Sequence, residues 1–258
     1  NPDQHEIHGH FLQALSRMQL RGDSWVADAT STLNGFAPGH GEDRMIGDAH
    51  GIAGQADFSE EMTLKTIEQH DYLAMRAGAL VIEADGFGEK VLRLADGTML
   101  KLFRRKRWFS SAAWYPYAQR FADNAVALRK RDVPVPEIID VLRIPSIARD
   151  AVHYHPLPGK TLRELRCEGL DPDTEQELKS AFTRFVIRLH ESGVYFRSLH
   201  LGNVVCLPDR RLGLIDIADA RISGSRLGKH KRARNLRCLQ RTAGESEWVD
   251  FHKVLNAR

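Results

Sequence analysis

The segment Tyr195-Phe196-Arg197-Ser198-Leu199-His200-Leu201-Gly202-Asn203 is followed closely by Gly213-Leu214-Ile215-Asp216-Ile217-Ala218-Asp219. Between them, two apolar runs at 204–207 and 212–217 flank Pro208-Asp209-Arg210-Arg211, a pattern typical of a short β-hairpin. Asp216 stands thirteen residues after Asn203, so the two polar side chains lie at the two ends of this hairpin. Amide and carboxylate oxygens suit magnesium, which also takes phosphate oxygens. The stretch therefore predicts the metal half of a phosphoryl-transfer site.

Three strands are predicted upstream, at 79–83, 91–94 and 99–103, and they form an antiparallel meander. The first connecting loop contains Gly86 and Gly88, and Lys101 lies on the third strand. A strand lysine that follows a glycine-bearing loop can reach nucleotide phosphates. The two glycines are candidates for a phosphate loop, although a plain hairpin turn explains them equally well.

Helical patterns occupy the rest of the chain. One helix is predicted from 117 to about 131, and prolines at 134 and 136 then force an extended segment that leads into a strand at 138–142. After a break at Pro158-Gly159, Asp171-Pro172 caps a long helix that ends at Gly193. A strand-rich half followed by a helix-rich half predicts an α+β fold of two lobes, about 62–155 and 156–258, with a cleft between them.

Composition narrows the class of protein. The chain has 258 residues, of which 42% are hydrophobic and 28% are charged, as in ordinary globular proteins. We see neither an apolar run of about 20 residues, as a membrane span requires, nor a secretory signal. The three cysteines, an odd number without paired spacing, indicate free thiols in a reducing compartment. We therefore expect a cytoplasmic location.

Residues 1–61 differ from the remainder. They carry a net charge of −7, against +10 for residues 62–258, and hold 8 of the 20 glycines and five of the twelve histidines. Only one short helical rhythm interrupts them. We predict a largely unstructured arm, in which the histidines form a solvated tail because no carboxylate or cysteine spacing completes a metal site.

The motifs and their order along the chain resemble those of the bacterial lipopolysaccharide-core sugar kinases. This is the Kdo and heptose kinase family with its toluene-tolerance proteins, which share the protein-kinase-like fold. The resemblance covers about residues 62–241. Beyond the hairpin motifs, it rests on four further stretches: Val91-Leu92-Arg93-Leu94-Ala95-Asp96-Gly97-Thr98, Lys101-Leu102-Phe103, Val133-Pro134-Val135-Pro136 and Leu157-Pro158-Gly159-Lys160-Thr161-Leu162.

The resemblance implies a nucleotide site that uses ATP and Mg²⁺. Lys101 would pair with the nucleotide phosphates, Asn203 and Asp216 would hold magnesium, and residues 153–158, including His155, would form the hinge against adenine. The implied reaction is transfer of phosphate to a sugar of the lipopolysaccharide core.

Two positions depart from the kinase pattern. Ser198 stands five residues before Asn203, where kinases carry the aspartate base, and Asn124 replaces the first-helix glutamate that orients the lysine. Asp219 or His200 would then accept the proton, or Ser198 would orient the acceptor, and Asp123 or Glu137 would support Lys101. Because a general base contributes about 10²- to 10⁴-fold, its loss alone leaves a kinase possible. The alternative is a degenerate kinase-like protein that binds nucleotide and regulates envelope or lipopolysaccharide assembly.

Two basic segments suggest partners. Residues 104–107 precede a group of aromatic residues, and no acid interrupts residues 221–241. Such charge favours lipopolysaccharide core, another anionic glycolipid or the inner-membrane surface. Solvated turns, with the aromatic residues in the core, explain the first segment equally well. We expect no nucleic acid, since no nucleic-acid fold signature accompanies the charge.

Overall fold

The computed structural model describes residues 62–105 and 115–257, which belong to one compact unit, Asp57–Arg258. The arm at 1–61, and residues 106–114 of the first basic segment, lie outside the described residues. Eleven strands are described: β1 Leu64–Thr66, β2 Leu80–Asp85, β3 Gly88–Arg93, β4 Met99–Arg104, β5 Glu137–Ile144, β6 Arg149–His155, β7 Lys160–Thr161, β8 Val194–Phe196, β9 Val204–Cys206, β10 Leu212–Leu214 and β11 Ala220–Ile222.

Six α-helices are described among the same residues: α1 Gln69–Arg76, α2 Tyr117–Arg129, α3 Leu162–Glu168, α4 Pro172–Glu191, α5 Lys229–Leu236 and α6 Phe251–Asn256. Short 3₁₀ turns lie between some of them, including Leu201–Asn203 and Ile217–Asp219. The fold is therefore α+β, as predicted.

One mixed sheet holds the first six strands in the order β1-β5-β6-β4-β3-β2. Its strands are antiparallel except that β1 runs parallel to β5. The predicted meander of β2, β3 and β4 is confirmed. Strand β6 completes the sheet's centre, although the sequence had suggested that residues from 153 onward were a hinge.

Alternate side chains of the central strand β4 pack on opposite faces of the sheet. Leu100 and Leu102 of β4 are buried on one face, in a cluster that includes Tyr72 of α1. Met99 and Phe103 pack on the other face against the larger core, which contains Phe121 of α2. Lys101 lies between them, so its side chain shares the face that meets α2.

Helix α4 is the longest described helix, and its predicted cap is confirmed. The side chain of Asp171 accepts a hydrogen bond from the amide of Thr174, and Pro172 occupies the first turn. Leu178, Phe182 and Val186 recur at intervals of four residues and are buried. The remaining strands form two small sheets, β10-β9-β7 and β11-β8, which the larger core joins to α4.

Candidate functional site

An ion pair joins the predicted phosphate-binding lysine to the predicted metal-binding aspartate. Lys101 Nζ lies 2.8 Å from Asp216 Oδ1, and the side chains are 15% and 46% exposed. The two residues are 115 positions apart in the sequence. An ion pair with an exposed carboxylate is weak. A ligand that binds Lys101 or Asp216 more strongly can therefore replace the other residue of the pair.

Asp216 lies beyond the end of β10 rather than within a strand. The predicted strand at 212–217 is wrong at its carboxyl end, since β10 stops at Leu214. Asp216 adopts left-handed backbone angles, φ 54° and ψ 43°, which end the extended run and begin the turn at Ile217–Asp219. This conformation is uncommon for a residue other than glycine and is concentrated at functional sites.

Asn203 is buried and tied to the segment that carries Asp216. The amide of Ile215 donates to the carbonyl of Asn203 at 3.1 Å. The side-chain nitrogen of Asn203 donates to the carbonyl of Ser198 at 3.0 Å and contacts His200 Nε2 at 3.2 Å. No hydrogen bond from another described residue occupies Asn203 Oδ1. The amide oxygen of Asn203 and the carboxylate of Asp216 are thus donors of the type that magnesium accepts.

Ser198 and Asp219 form a second polar pair beside this group. Ser198 Oγ donates to Asp219 Oδ2 at 2.6 Å, and Asp219 Oδ1 is buried without a hydrogen-bond partner among the described residues. Burial raises the pKa of Asp219, and the charge of Asp216 raises it further, although the hydrogen bond from Ser198 opposes both effects. A raised pKa makes Asp219 a better proton acceptor than an ordinary aspartate.

The loop that carries Ser198 is held by residues that the sequence did not single out. Glu245 is completely buried, accepts from Arg163 Nε at 2.8 Å, and accepts from the amide of Leu201 at 3.1 Å. Arg163 also contacts His200 Nδ1 at 3.3 Å. Burial lowers the pKa of His200, and the Arg163 charge lowers it further. His200 makes no hydrogen bond to Ser198 among the described contacts.

Asn124, which occupies the position of the kinase glutamate, does not orient Lys101. Its side-chain nitrogen donates to the carbonyls of Ile217 at 2.8 Å and Ala220 at 3.1 Å. It therefore fixes the turn that follows Asp216. Neither Asp123 nor Glu137 replaces the missing glutamate, since the described ion-pair partner of Lys101 is Asp216. Asn124 and Ile217 are more than 90 residues apart, so the sequence gave no signal for this contact.

The two predicted loop glycines lie at the hairpin between β2 and β3. Gly88 has φ 111°, a conformation that favours glycine, while Gly86 and Phe87 form the tight turn. Arg149 donates to the carbonyl of Phe87 at 2.7 Å, and Arg104 stacks 3.7 Å from the Phe87 ring centroid. These contacts are within the sheet and its turn, and they give the loop two cationic neighbours.

His155 is the exposed last residue of β6, so the connection to the helical part of the chain begins at Pro156. His153, at the start of the predicted hinge, lies inside β6 instead, and its Nε2 is 2.8 Å from Thr98 Oγ1. Tyr154 between them is buried, and burial together with the Asp216 charge raises its pKa. Tyr154 is a neighbour of Asp216 that the sequence reasoning missed.

Other site classes receive no support from the described residues. No three His, Cys, Asp or Glu side chains converge there as a metal cluster, and none of the helices described is both long and apolar enough to cross a membrane. Cys167, Cys206 and Cys238 are free thiols.

The candidate site is thus the Lys101–Asp216 ion pair with Asn203, and the Ser198–Asp219 pair lies beside it. No protein-family model and no curated protein sequence matches this chain.

Proposed function

We propose that this protein is a two-lobed kinase-like phosphotransferase that uses ATP and magnesium to phosphorylate a sugar of the lipopolysaccharide core. The observation that carries the proposal is the convergence of Lys101 and Asp216. A strand lysine, a carboxylate after a hairpin and an amide before it are the parts that phosphoryl transfer needs to hold a nucleotide. The five antiparallel strands β2 to β6, with α2 between β4 and β5, agree with the expected strand-rich lobe.

The residues present fit the two cofactors. Asn203 Oδ1 and the Asp216 carboxylate would hold magnesium, and Lys101 would release Asp216 and pair with the nucleotide phosphates. Bound magnesium supplies charge neutralisation on the phosphates. Asn124 holds the turn after Asp216 and so keeps its carboxylate in place.

Ser198 and Asp219 would handle the acceptor proton. Ser198 Oγ already donates to Asp219, so its lone pairs remain available to the acceptor hydroxyl. As the acceptor oxygen forms its bond to the γ-phosphorus and the bond to ADP breaks, Ser198 takes the acceptor proton and passes its own to Asp219. The raised pKa of Asp219 favours this direction of transfer.

A second function is favoured by the same ion pair. Lys101 pairs with Asp216, and Asn124 bonds to the turn rather than to the lysine. A protein that binds nucleotide without transferring phosphate, and that regulates lipopolysaccharide assembly, would keep these contacts. Under either function the protein would act in the cytoplasm, at the surface of the inner membrane.

Transfer from ATP to purified core oligosaccharide tests the first function. We expect Lys101→Ala to lower kcat/KM by about 10²-fold or more, because the cation that stabilises charge on the transferring phosphoryl group is lost. Lys65→Ala is the matched control, since Lys65 lies on the same sheet and forms an ion pair with Asp140. No transfer by the unchanged chain, with intact ATP binding, would favour the regulator.

Calorimetric titration of ATP with magnesium tests the metal assignment. Asp216→Ala should weaken magnesium-dependent binding much more than Asp219→Ala, because only Asp216 is assigned to the metal. Titration in EDTA gives the metal-independent part. Equal weakening by the two substitutions would refute the assignment.

A further inference from the structure

A cavity of about 370 Å³ lies on the helical part of the chain, outside the Lys101–Asp216 pair. It is formed by β8, β11, the loop after β11 and α5. None of the described residues that line it is acidic. Four of them are cationic: Arg197, Arg221, Lys231 and Arg234. Its volume falls in the range of pockets that bind small ligands.

The strand wall of the cavity follows from the pairing of β8 with β11. Arg221 lies opposite Tyr195 in the antiparallel register, and both line the cavity. Strand alternation puts Phe196 on the other face, where it is buried in the core. Arg197, two residues after Tyr195, returns to the cavity side.

The helix wall is fixed by buried polar contacts on the inner side of α5. Arg232 is 3% exposed and donates to the carbonyls of Leu227 at 2.8 Å and Val254 at 3.0 Å. Asn235, three residues later, donates to the carbonyl of Phe196 in β8. Lys231 and Arg234 have the same spacing on the adjoining stripe of the helix and face the cavity. These contacts fix the position of α5, and with it the places of Lys231 and Arg234 on the cavity wall.

The charge in this cavity is not compensated within the described residues. None of the four cations forms an ion pair with an acid described in 62–105 or 115–257, although Arg197 lies close enough to Asp219 to affect its titration. Unpaired cations in a concave site attract anions strongly, and arginine in particular binds oxyanions through two parallel hydrogen bonds.

We propose that this cavity binds an oxyanion group, a phosphate or a carboxylate, that the acceptor substrate carries in addition to the hydroxyl that is phosphorylated. Arg197 directly precedes Ser198, and Arg221 follows Asp219 by two residues, so both polar partners of the proposed proton transfer adjoin the cavity wall. Binding of an oxyanion in the cavity does not depend on whether the protein transfers phosphate. Its assignment to the acceptor rests on the proposed function.

Binding of inorganic pyrophosphate to the full chain tests the cavity. In calorimetric titration at low salt, we expect the double variant Lys231→Ala/Arg234→Ala to bind at least about tenfold more weakly, since two charge-assisted contacts are lost. Arg221→Gln, on the opposite wall, should weaken binding in the same direction. Both effects should persist in a Lys101→Ala background, where the proposed nucleotide site is impaired.

Arg226→Ala/Arg237→Ala is the matched control. These arginines are exposed, belong to the same basic stretch and do not line the cavity, and their removal changes the net charge equally. We expect less than about a twofold effect from this pair. Equal weakening by the two double variants, or none from the cavity variants, would overturn the proposal.

Transfer kinetics then show whether the bound oxyanion belongs to the acceptor substrate. If the acceptor carries it, Lys231→Ala/Arg234→Ala should raise KM for core oligosaccharide about tenfold or more, with KM for ATP unchanged. Core oligosaccharide stripped of phosphate and with its carboxylates reduced should lose this difference between variant and unchanged chain. An unchanged acceptor KM would overturn the assignment while the kinase proposal stands. If no transfer occurs at all, the pyrophosphate titration still decides whether the cavity binds oxyanions.

Discussion

His190 lies in α4 with no exposed surface, and its Nε2 is 3.0 Å from Asn235 Oδ1. Its Nδ1 has no hydrogen-bond partner among the described residues. Burial lowers the pKa of His190 to about 4, and the nearby Arg232 charge acts in the same direction. The folded chain therefore holds this imidazole neutral, in contact with the residue that fixes α5 to β8.

This burial predicts a pH-dependent stability. Between pH 6.5 and about 4 the unfolded chain binds a proton at His190 that the folded chain does not, so the free energy of unfolding falls as the pH is lowered through this window. The loss from this residue should reach about 2 kcal/mol at pH 5. Urea denaturation at pH 7.5 and pH 5 measures it.

His190→Gln should flatten that dependence, whereas His70→Gln should not, because His70 is highly exposed on α1. Identical pH profiles for His190→Gln and the unchanged chain would contradict the assignment.

In the connection from β6 to β7, the position of Gly159 has no space for a larger residue. Gly159 has φ 125°, and a β-carbon there would lie 2.1 Å from the carbonyl oxygen of Cys206 in β9. The close approach allows Lys160 to pair with Cys206 in the small sheet that also contains β10. Asp216 follows β10 by two residues, so this packing supports the site.

Gly159→Ala should lower the free energy of unfolding by about 2–4 kcal/mol, through backbone strain and the clash with Cys206. Gly224→Ala is the control, since nothing lies within 4 Å of the β-carbon it would gain. Urea denaturation of the two variants should differ accordingly. A small effect at Gly159 would mean that β7 and β9 can separate without loss of stability.

Across the whole molecule, nucleotide binding would tie β4 to the turn after β10 through Lys101 and Asp216. At a free concentration of about 100 times Kd, Mg-ATP should stabilise the folded chain by about 2.7 kcal/mol and raise Tm by about 5–11 °C. Thermal unfolding with Mg-ATP, and with ATP in EDTA, measures the effect. Asp216→Ala should abolish the magnesium-dependent part, and an equal rise in EDTA would contradict the metal assignment.

The sequence predicted the elements whose signals are local. The meander of β2, β3 and β4, helix α2 to within two residues of its end, and the cap of α4 at Asp171 all follow from alternation, turn residues and capping chemistry. The hairpin of β9 and β10 was predicted for the same reason, and with it the positions of Asn203 and Asp216 at its ends.

Only the tertiary structure decided which of these side chains meet. Lys101 pairs with Asp216 rather than with Asp123 or Glu137, and Asn124 bonds to the turn after Asp216. The four cations of the cavity likewise come from β11, α5 and the segment that follows β8. Hydrophobic periodicity specifies which face of an element is buried, but contacts between distant segments depend on how those faces pack. The places of Lys101, Asn203 and Asp216 in or next to their strands were therefore readable from the sequence, whereas their partners required the fold.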